Sequence, residues 1–181
     1  MRRSHPRFNV RMAVLTGILL AIPAAGRTAD TAKGHVNAQQ FVKQAAEGGM
    51  AEVKLGQRAQ QKAGSADVKA FGKRMEDDHT KVNDDLKQLA ADKKVTLPHG
   101  LDSKDQALYD RLSKLSGQQF DKTYMSEMVR DHQQDVAEFQ KAAHSHDAQV
   151  KDFASRTLPT LEDHLREAQQ IASNEGHQAG R

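Results

Sequence analysis

Three histidines and one glutamate carry the chemistry that this 181-residue chain could perform: Glu52, His79, His132 and His164. At about 100° per residue, each falls at the middle of an apolar helical stripe. Glu52 is surrounded on its face by Phe41, Ala45, Gly49, Leu55, Gly56 and Ala59. His79 lies among Val68, Gly72, Met75, Val82 and Leu86, and His132 among Met125, Met128, Val129, Val136 and Phe139. His164 lies among Val150, Phe153, Leu161, Ala168 and Ile171. Burying such groups without partners is costly, so four on facing stripes point to a shared ligand or a proton network.

A metal ion offers one reason to place them there. Neutral imidazole and carboxylate suit zinc, iron, manganese or copper, and the ion's charge offsets the desolvation of a carboxylate. Glu76, Asp135 and Glu167 each stand three residues from a histidine, which makes them candidates for extra ligands or supporting partners. The bland reading is a metal-free network in which the histidines hydrogen-bond Glu52 and the backbone. Asp78, Asp131 and Asp163 precede the three histidines about 100° off the face, and are expected to meet Lys or Arg of neighbouring helices, or water. Met50, Met75, Met125 and Met128 admit a copper reading, but core packing explains them more simply. His5, His35, His99 and His177 fall in predicted loops or termini; His144 and His146 read as a polar turn.

Four helices must present these groups. Asn37 caps the first, which is predicted to run to about Ala63 before Gly64-Ser65 breaks it. The second opens at Ser65 or Asp67 and ends near Lys93, and Val95 to Asp102, with Pro98 and Gly100, is the crossover. A short helix is predicted over Ser103 to Leu115. A third long helix, capped by Ser116, should reach about Ala143, and a fourth follows the His144–Asp147 turn to about Asn174. Pro159 should kink or locally widen that fourth helix. A weak echo between Val68-Lys69-Ala70-Phe71 and Val150-Lys151-Asp152-Phe153 supports two hairpins, and no segment alternates with strand period. The expected fold is all-α, an antiparallel four-helix bundle with a short extra helix in the crossover. Glu52 and His79 lie 12 and 15 residues from Gly64, and His132 and His164 lie 14 and 18 from His146. Each pair therefore differs in height by only about 5–6 Å, so one layer could gather all four.

Composition narrows the setting. Arg2, Arg3, Arg7 and Arg11, the apolar run Met12 to Pro23 and Ala24-Ala25-Gly26 read as a signal peptide over 1–26, which predicts a periplasmic or secreted protein. The run is shorter than the about 20 residues of a membrane helix, and an uncleaved anchor is the alternative. Residues 27–36 read as a flexible lead-in, 37–175 as the bundle domain and 176–181 as a disordered tail. Outside the leader, 23 Lys and Arg face 24 Asp and Glu, so the alkaline pI belongs to the leader and argues no nucleic-acid partner. Absence of cysteine excludes thiolate ligands and disulfides.

The same residues carry a resemblance. Phe41-Val42, Gly49-Met50-Ala51-Glu52-Val53-Lys54-Leu55-Gly56, Val68 to Phe71 with Asp78-His79-Thr80, Phe120-Asp121 with Tyr124 to Asp131-His132, and Leu158-Pro159-Thr160-Leu161 to His164-Leu165 are similar to the bacterial exported domain-of-unknown-function family 4142, grouped with ferritin-like proteins. The resemblance implies a ferritin-like bundle and no established activity. Ferritin-like di-iron proteins pair a Glu on one helix with E-x-x-H on its partner, twice over. Glu52, Glu76 and His79 match the first half. His132 stands where the second lone Glu would be, and Leu161 where the second E-x-x-H needs Glu, so the pattern favours a mononuclear or vestigial site over di-iron chemistry. The functional expectations are thus a metal-binding bundle in metal handling or stress protection, or a metal-free interaction or envelope-structural module. No nucleophile triad, phosphate loop or cofactor fingerprint supports catalysis independently.

Overall fold

The computed structural model describes residues 36–178, with side chains through residue 176. The signal peptide expected over 1–26, nearly all of the lead-in and residues 179–181 lie outside the described residues. Five helices make up the described chain: α1 (Ala38–Lys62), α2 (Ala66–Asp92), α3 (Ser103–Ser113), α4 (Gly117–Ala142) and α5 (Ala148–Gln178). The fold is all-α, as the periodicity predicted. α5 passes Pro159 without a break and continues to Gln178, so residues 176–178 of the expected tail are helical.

Each boundary has a local cause. The Asn37 side chain accepts from the Gln40 amide at 3.0 Å and so starts α1. Asp102 does the same for α3, accepting from the Asp105 amide at 2.8 Å. Ser116 makes no side-chain cap, and the break before α4 is instead the left-handed Gly117 at φ 57°. α2 ends in a Schellman turn: Val95 N–H donates to Ala90 O at 2.9 Å and Lys94 N–H to Ala91 O at 3.1 Å. The left-handed residue there is Lys94, at φ 55°. Exposed Lys94→Gly is therefore expected to stabilise the protein by about 1 kcal/mol, read as a higher midpoint in thermal unfolding.

The turn between α1 and α2 is held from outside the hairpin. Asp121 of α4, only 2% exposed, accepts from the Gly64 amide at 3.0 Å and the Ser65 amide at 2.9 Å. It holds the two amides that lead into α2, whose first turn Ser65 leaves without a side-chain cap, and it ties one hairpin to the other.

α1 packs along α2 and α4 along α5, while α2 with α5 and α1 with α4 close the ring. α1 and α2 approach with almost no side chain between them. A Cβ at Gly56 would lie 2.4 Å from Gly72 O, and one at Gly72 would lie 2.6 Å from the Ala59 Cβ. Two apolar clusters fill the interior. One holds Leu55, Phe71, Met75, Leu112, Tyr124 and Met128; the other holds Phe41, Leu86, Phe139, Val150, Phe153 and Leu161. Along each long helix one polar residue separates the clusters: Glu52 in α1, His79 in α2, His132 in α4 and His164 in α5. The order of the clusters reverses from α1 to α2 and from α4 to α5, as antiparallel hairpins require.

Candidate metal centre

Each histidine is held by apolar neighbours on its own helix and closed in by the facing ones. His79, His132 and His164 are 4%, 0% and 1% exposed. Their ring centroids stand 5.7 Å (His79–His132), 5.4 Å (His79–His164) and 5.4 Å (His132–His164) apart. One ring nitrogen from each lies within 4.8 Å of those of the other two. Phe71 packs edge-on to His132 at 6.4 Å and closes the layer from below.

The outer hydrogen bonds of two rings fix which nitrogen is left over. His132 Nδ1 meets the Met128 carbonyl at 2.9 Å, so it carries the proton and leaves Nε2 as a lone pair. His164 Nε2 meets Asp78 Oδ2 at 2.8 Å, which leaves Nδ1 as the lone pair. His132 Nε2, His164 Nδ1 and His79 Nε2 are all buried and have no hydrogen-bond partner within the protein. Burial disfavours the charged form of each ring. It holds His132 down to about 4, with help from neighbouring His164 and against the Met128 bond. It holds His79 well below the ordinary range, with His132 and His164 adding to the effect. His164 is lowered by burial too, although its Asp78 bond opposes this. Three neutral imidazoles thus bring one ring nitrogen each within reach of a shared ion, two of them, His132 Nε2 and His164 Nδ1, left as lone pairs by their outer bonds, which is the chemistry a divalent transition ion requires.

Asp78, expected to meet Lys or Arg of a neighbouring helix or water, instead holds a histidine. It bonds His164 across the bundle and Arg74 on its own helix (Nε to Oδ2, 3.2 Å), and Arg74 in turn pairs with Glu167 of α5. Its position directly before His79 was visible in the chain, but only the crossing of α2 and α5 turns it toward His164. Asp163 pairs instead with Arg166, and Asp131 with Arg130.

None of the other candidate residues is among the groups whose ligand atoms converge. Glu52 is buried, at 3% exposure, but is not one of the three groups whose ligand atoms converge. Glu76 turns to α1 and accepts from Gln57 and Gln60, both at 2.7 Å. Glu167 is three contacts from His164, through Arg74 and Asp78. Asp135 is partly buried beside Glu52. Met75, Met125 and Met128 are core residues of the apolar cluster, while His99, His144 and His146 are exposed.

Glu52 and Asp135 belong to an acidic cavity of about 210 Å³ between α1, α3 and α4, to which Asp105 and Asp131 also contribute. Sequence reading missed this feature because Asp105 and Asp131 are distant in the chain and lie on ordinary polar faces. Burial raises the Glu52 carboxyl well above its usual range, and Asp135, Asp131 and Asp105 push it further. Burial, reinforced by Asp131 and Glu138, lifts Asp135 to about 7. A carboxyl whose folded pKa exceeds its unfolded one stabilises the fold at low pH, and that contribution is lost as pH rises through the folded value. In chelator, Asp135→Asn should therefore match the wild type near pH 4 and be more stable by on the order of 1–2 kcal/mol above pH 7. Denaturant unfolding at both pH values would measure it.

A family model described as "Domain of unknown function (DUF4142)" matches residues 23–171. The chain belongs to this family. No curated protein matches it. A solved structure, "Crystal structure of DUF305 fragment from Deinococcus radiodurans", resembles the fold with a TM-score of 0.67 at 14% identity, covering 76% of this chain and 95% of that one. At that identity the likeness concerns helical architecture alone. Among the described residues of this DUF4142 protein, no helix is long and apolar enough to cross a membrane.

Proposed function

We propose that this DUF4142 protein is an exported helical bundle that binds one transition-metal ion through His79, His132 and His164, in metal handling or stress protection. The observation that carries the reading is the set of three buried, neutral imidazoles, each with an unpartnered ring nitrogen facing the same point. A metal-free network is the competing reading. It would place hydrogen bonds between those nitrogens and buried donors, since buried polar atoms are nearly always partnered. Three atoms lacking such bonds in one layer speak for a ligand.

Three imidazoles suit zinc, copper or iron better than manganese, which prefers oxygen donors. Three protein ligands also leave a coordination position for water or another small molecule, unlike a closed four-ligand structural site. Met128 O and Asp78 orient two of the rings, and Asp78 adds negative charge beside His164. Export rests on the leader read over residues 1–26.

The test is elemental analysis of natively purified protein without a histidine tag, followed by titration of the chelator-treated protein with zinc and with cobalt. The expected result is one ion per chain and, for cobalt, the visible bands of a low-coordinate nitrogen site. A protein that takes up neither ion would leave the metal-free module as the better reading.

A further inference from the structure

All three site histidines are enclosed, yet one of them is a single hydrogen bond from a side chain that reaches solvent. The outer nitrogen of His132 meets backbone, the Met128 carbonyl, whereas that of His164 meets the Asp78 carboxylate. Asp78 belongs to a charged cluster that closes the seam between α2 and α5. Arg74 of α2 donates through Nε to Asp78 at 3.2 Å and pairs across the seam with Glu167 of α5. The side chains of Arg74, Asp78 and Glu167 are 37%, 37% and 34% exposed, against 1% for His164. To one side along these helices stand Met75 and Ala168 of the first apolar cluster, and to the other Leu86 and Leu161 of the second. The seam is thus closed by ion pairs at the level of the histidines and by apolar packing at either end. Between α1 and α2 the closure is of another kind, because Gly56 and Gly72 bring backbone against backbone. Asp131 and Asp163, which also precede site histidines, pair with Arg130 and Arg166 of their own helices.

We infer that the α2–α5 seam is the route by which a metal ion reaches and leaves the histidine centre, with Arg74 as its gate. The inference rests on the metal reading of the three imidazoles and adds to it the control of exchange. In the closed seam the Arg74 guanidinium occupies the carboxylates of Asp78 and Glu167, the oxygens an arriving cation would meet first, and its charge repels that cation. Exposed ion pairs are weak and exposed side chains change rotamer within nanoseconds, so Arg74 can swing out while the apolar clusters stay packed. Once it has left, the two carboxylates attract the ion. Asp78 is already in contact with the first ligand, His164.

The experiment follows cobalt exchange in the untagged full chain, read by the visible bands of the bound ion. Uptake is timed after mixing chelator-treated protein with cobalt, and loss after adding excess EDTA. Glu167→Ala removes the pair across the seam and should speed both directions about fivefold, whereas Arg74→Met removes both pairs and should speed both about tenfold. Affinity should then change less than either rate. Charge without a gate predicts otherwise: loss of Glu167 would slow uptake, and loss of Arg74 would slow release. A second readout needs no metal. In chelator-treated protein, modification of His164 by diethyl pyrocarbonate, resolved by peptide mass spectrometry, should accelerate in the same order, while His132 keeps its wild-type rate. Exchange rates that follow charge alone or stay at the wild-type value, or His164 labelling that does not change, would overturn the gate. If the wild type takes up no cobalt while His164 labelling accelerates in both variants, the metal reading fails and the seam stands as the opening to the centre.

Discussion

His132→Ala is expected to lower the affinity for zinc or cobalt by on the order of 10²–10³-fold. Structural zinc in small sites is held by about 10–16 kcal/mol, so one ligand of a few carries several kcal/mol. His132 is the strongest case of the three because it is fully buried and its Nδ1 is committed to Met128 O, so no other nitrogen of the ring can serve. Alanine leaves a cavity, so His132→Leu is the better control. It keeps the volume and removes an unpartnered polar atom, and the metal-free protein should be at least as stable as the wild type. A metal titration beside a thermal melt reads both effects. Asp78→Asn should produce a milder loss of about 10–100-fold, since it alters the partner that orients His164 and leaves the ligand in place. Wild-type affinity in His132→Leu would remove the histidine layer as the binding site.

Gly56→Ala is expected to destabilise the protein by about 3 kcal/mol and to lower its thermal midpoint by roughly 10 °C. The added Cβ would meet backbone on two sides, Gly72 O at 2.4 Å and Glu76 N at 3.0 Å, and neither can yield as a side chain would. The α1–α2 pair must separate, and the strain reaches Glu52 and His79, each one turn or two from the contact. Gly48→Ala on the same helix is the control of opposite sign. Its Cβ would enter open space, so only helix propensity acts and the variant should gain up to about 1 kcal/mol. Equal effects at the two positions would show that close packing at Gly56 is not what holds this hairpin.

The small face of α1 was readable in the chain, but its purpose was not. Ala45, Gly49, Gly56 and Ala59 admit either a close helix or room for a ligand, and at the glycines it is a close neighbour that occurs. Gly56 and Ala59 meet Gly72, whereas Gly49 faces the Asn83 side chain. Helix positions were recovered to within a few residues because caps and apolar period are local signals: Asn37 and Asp102 act through their own amides. The C-terminus of α5 was misjudged because Gly176, read as a stop, is accommodated within the helix. The role of Asp121 is not legible in its own segment, since its partners, Gly64 and Ser65, lie on another hairpin.

What the chain alone determined is the angular place of four polar residues on their helices and their common height, because α-helical geometry depends on nothing distant. It also determined that nitrogen and oxygen are the available donors, through the absence of cysteine. Tertiary structure decided how those four divide. The rotation and separation of neighbouring helices follow from non-local contacts, chiefly Gly56 on Gly72 and Asp121 on the α1–α2 turn. The packing of α4 and α2 against α5 brings three imidazoles together, and Glu52 lines a cavity completed by Asp105, a residue of the crossover helix that no periodicity could have placed beside it.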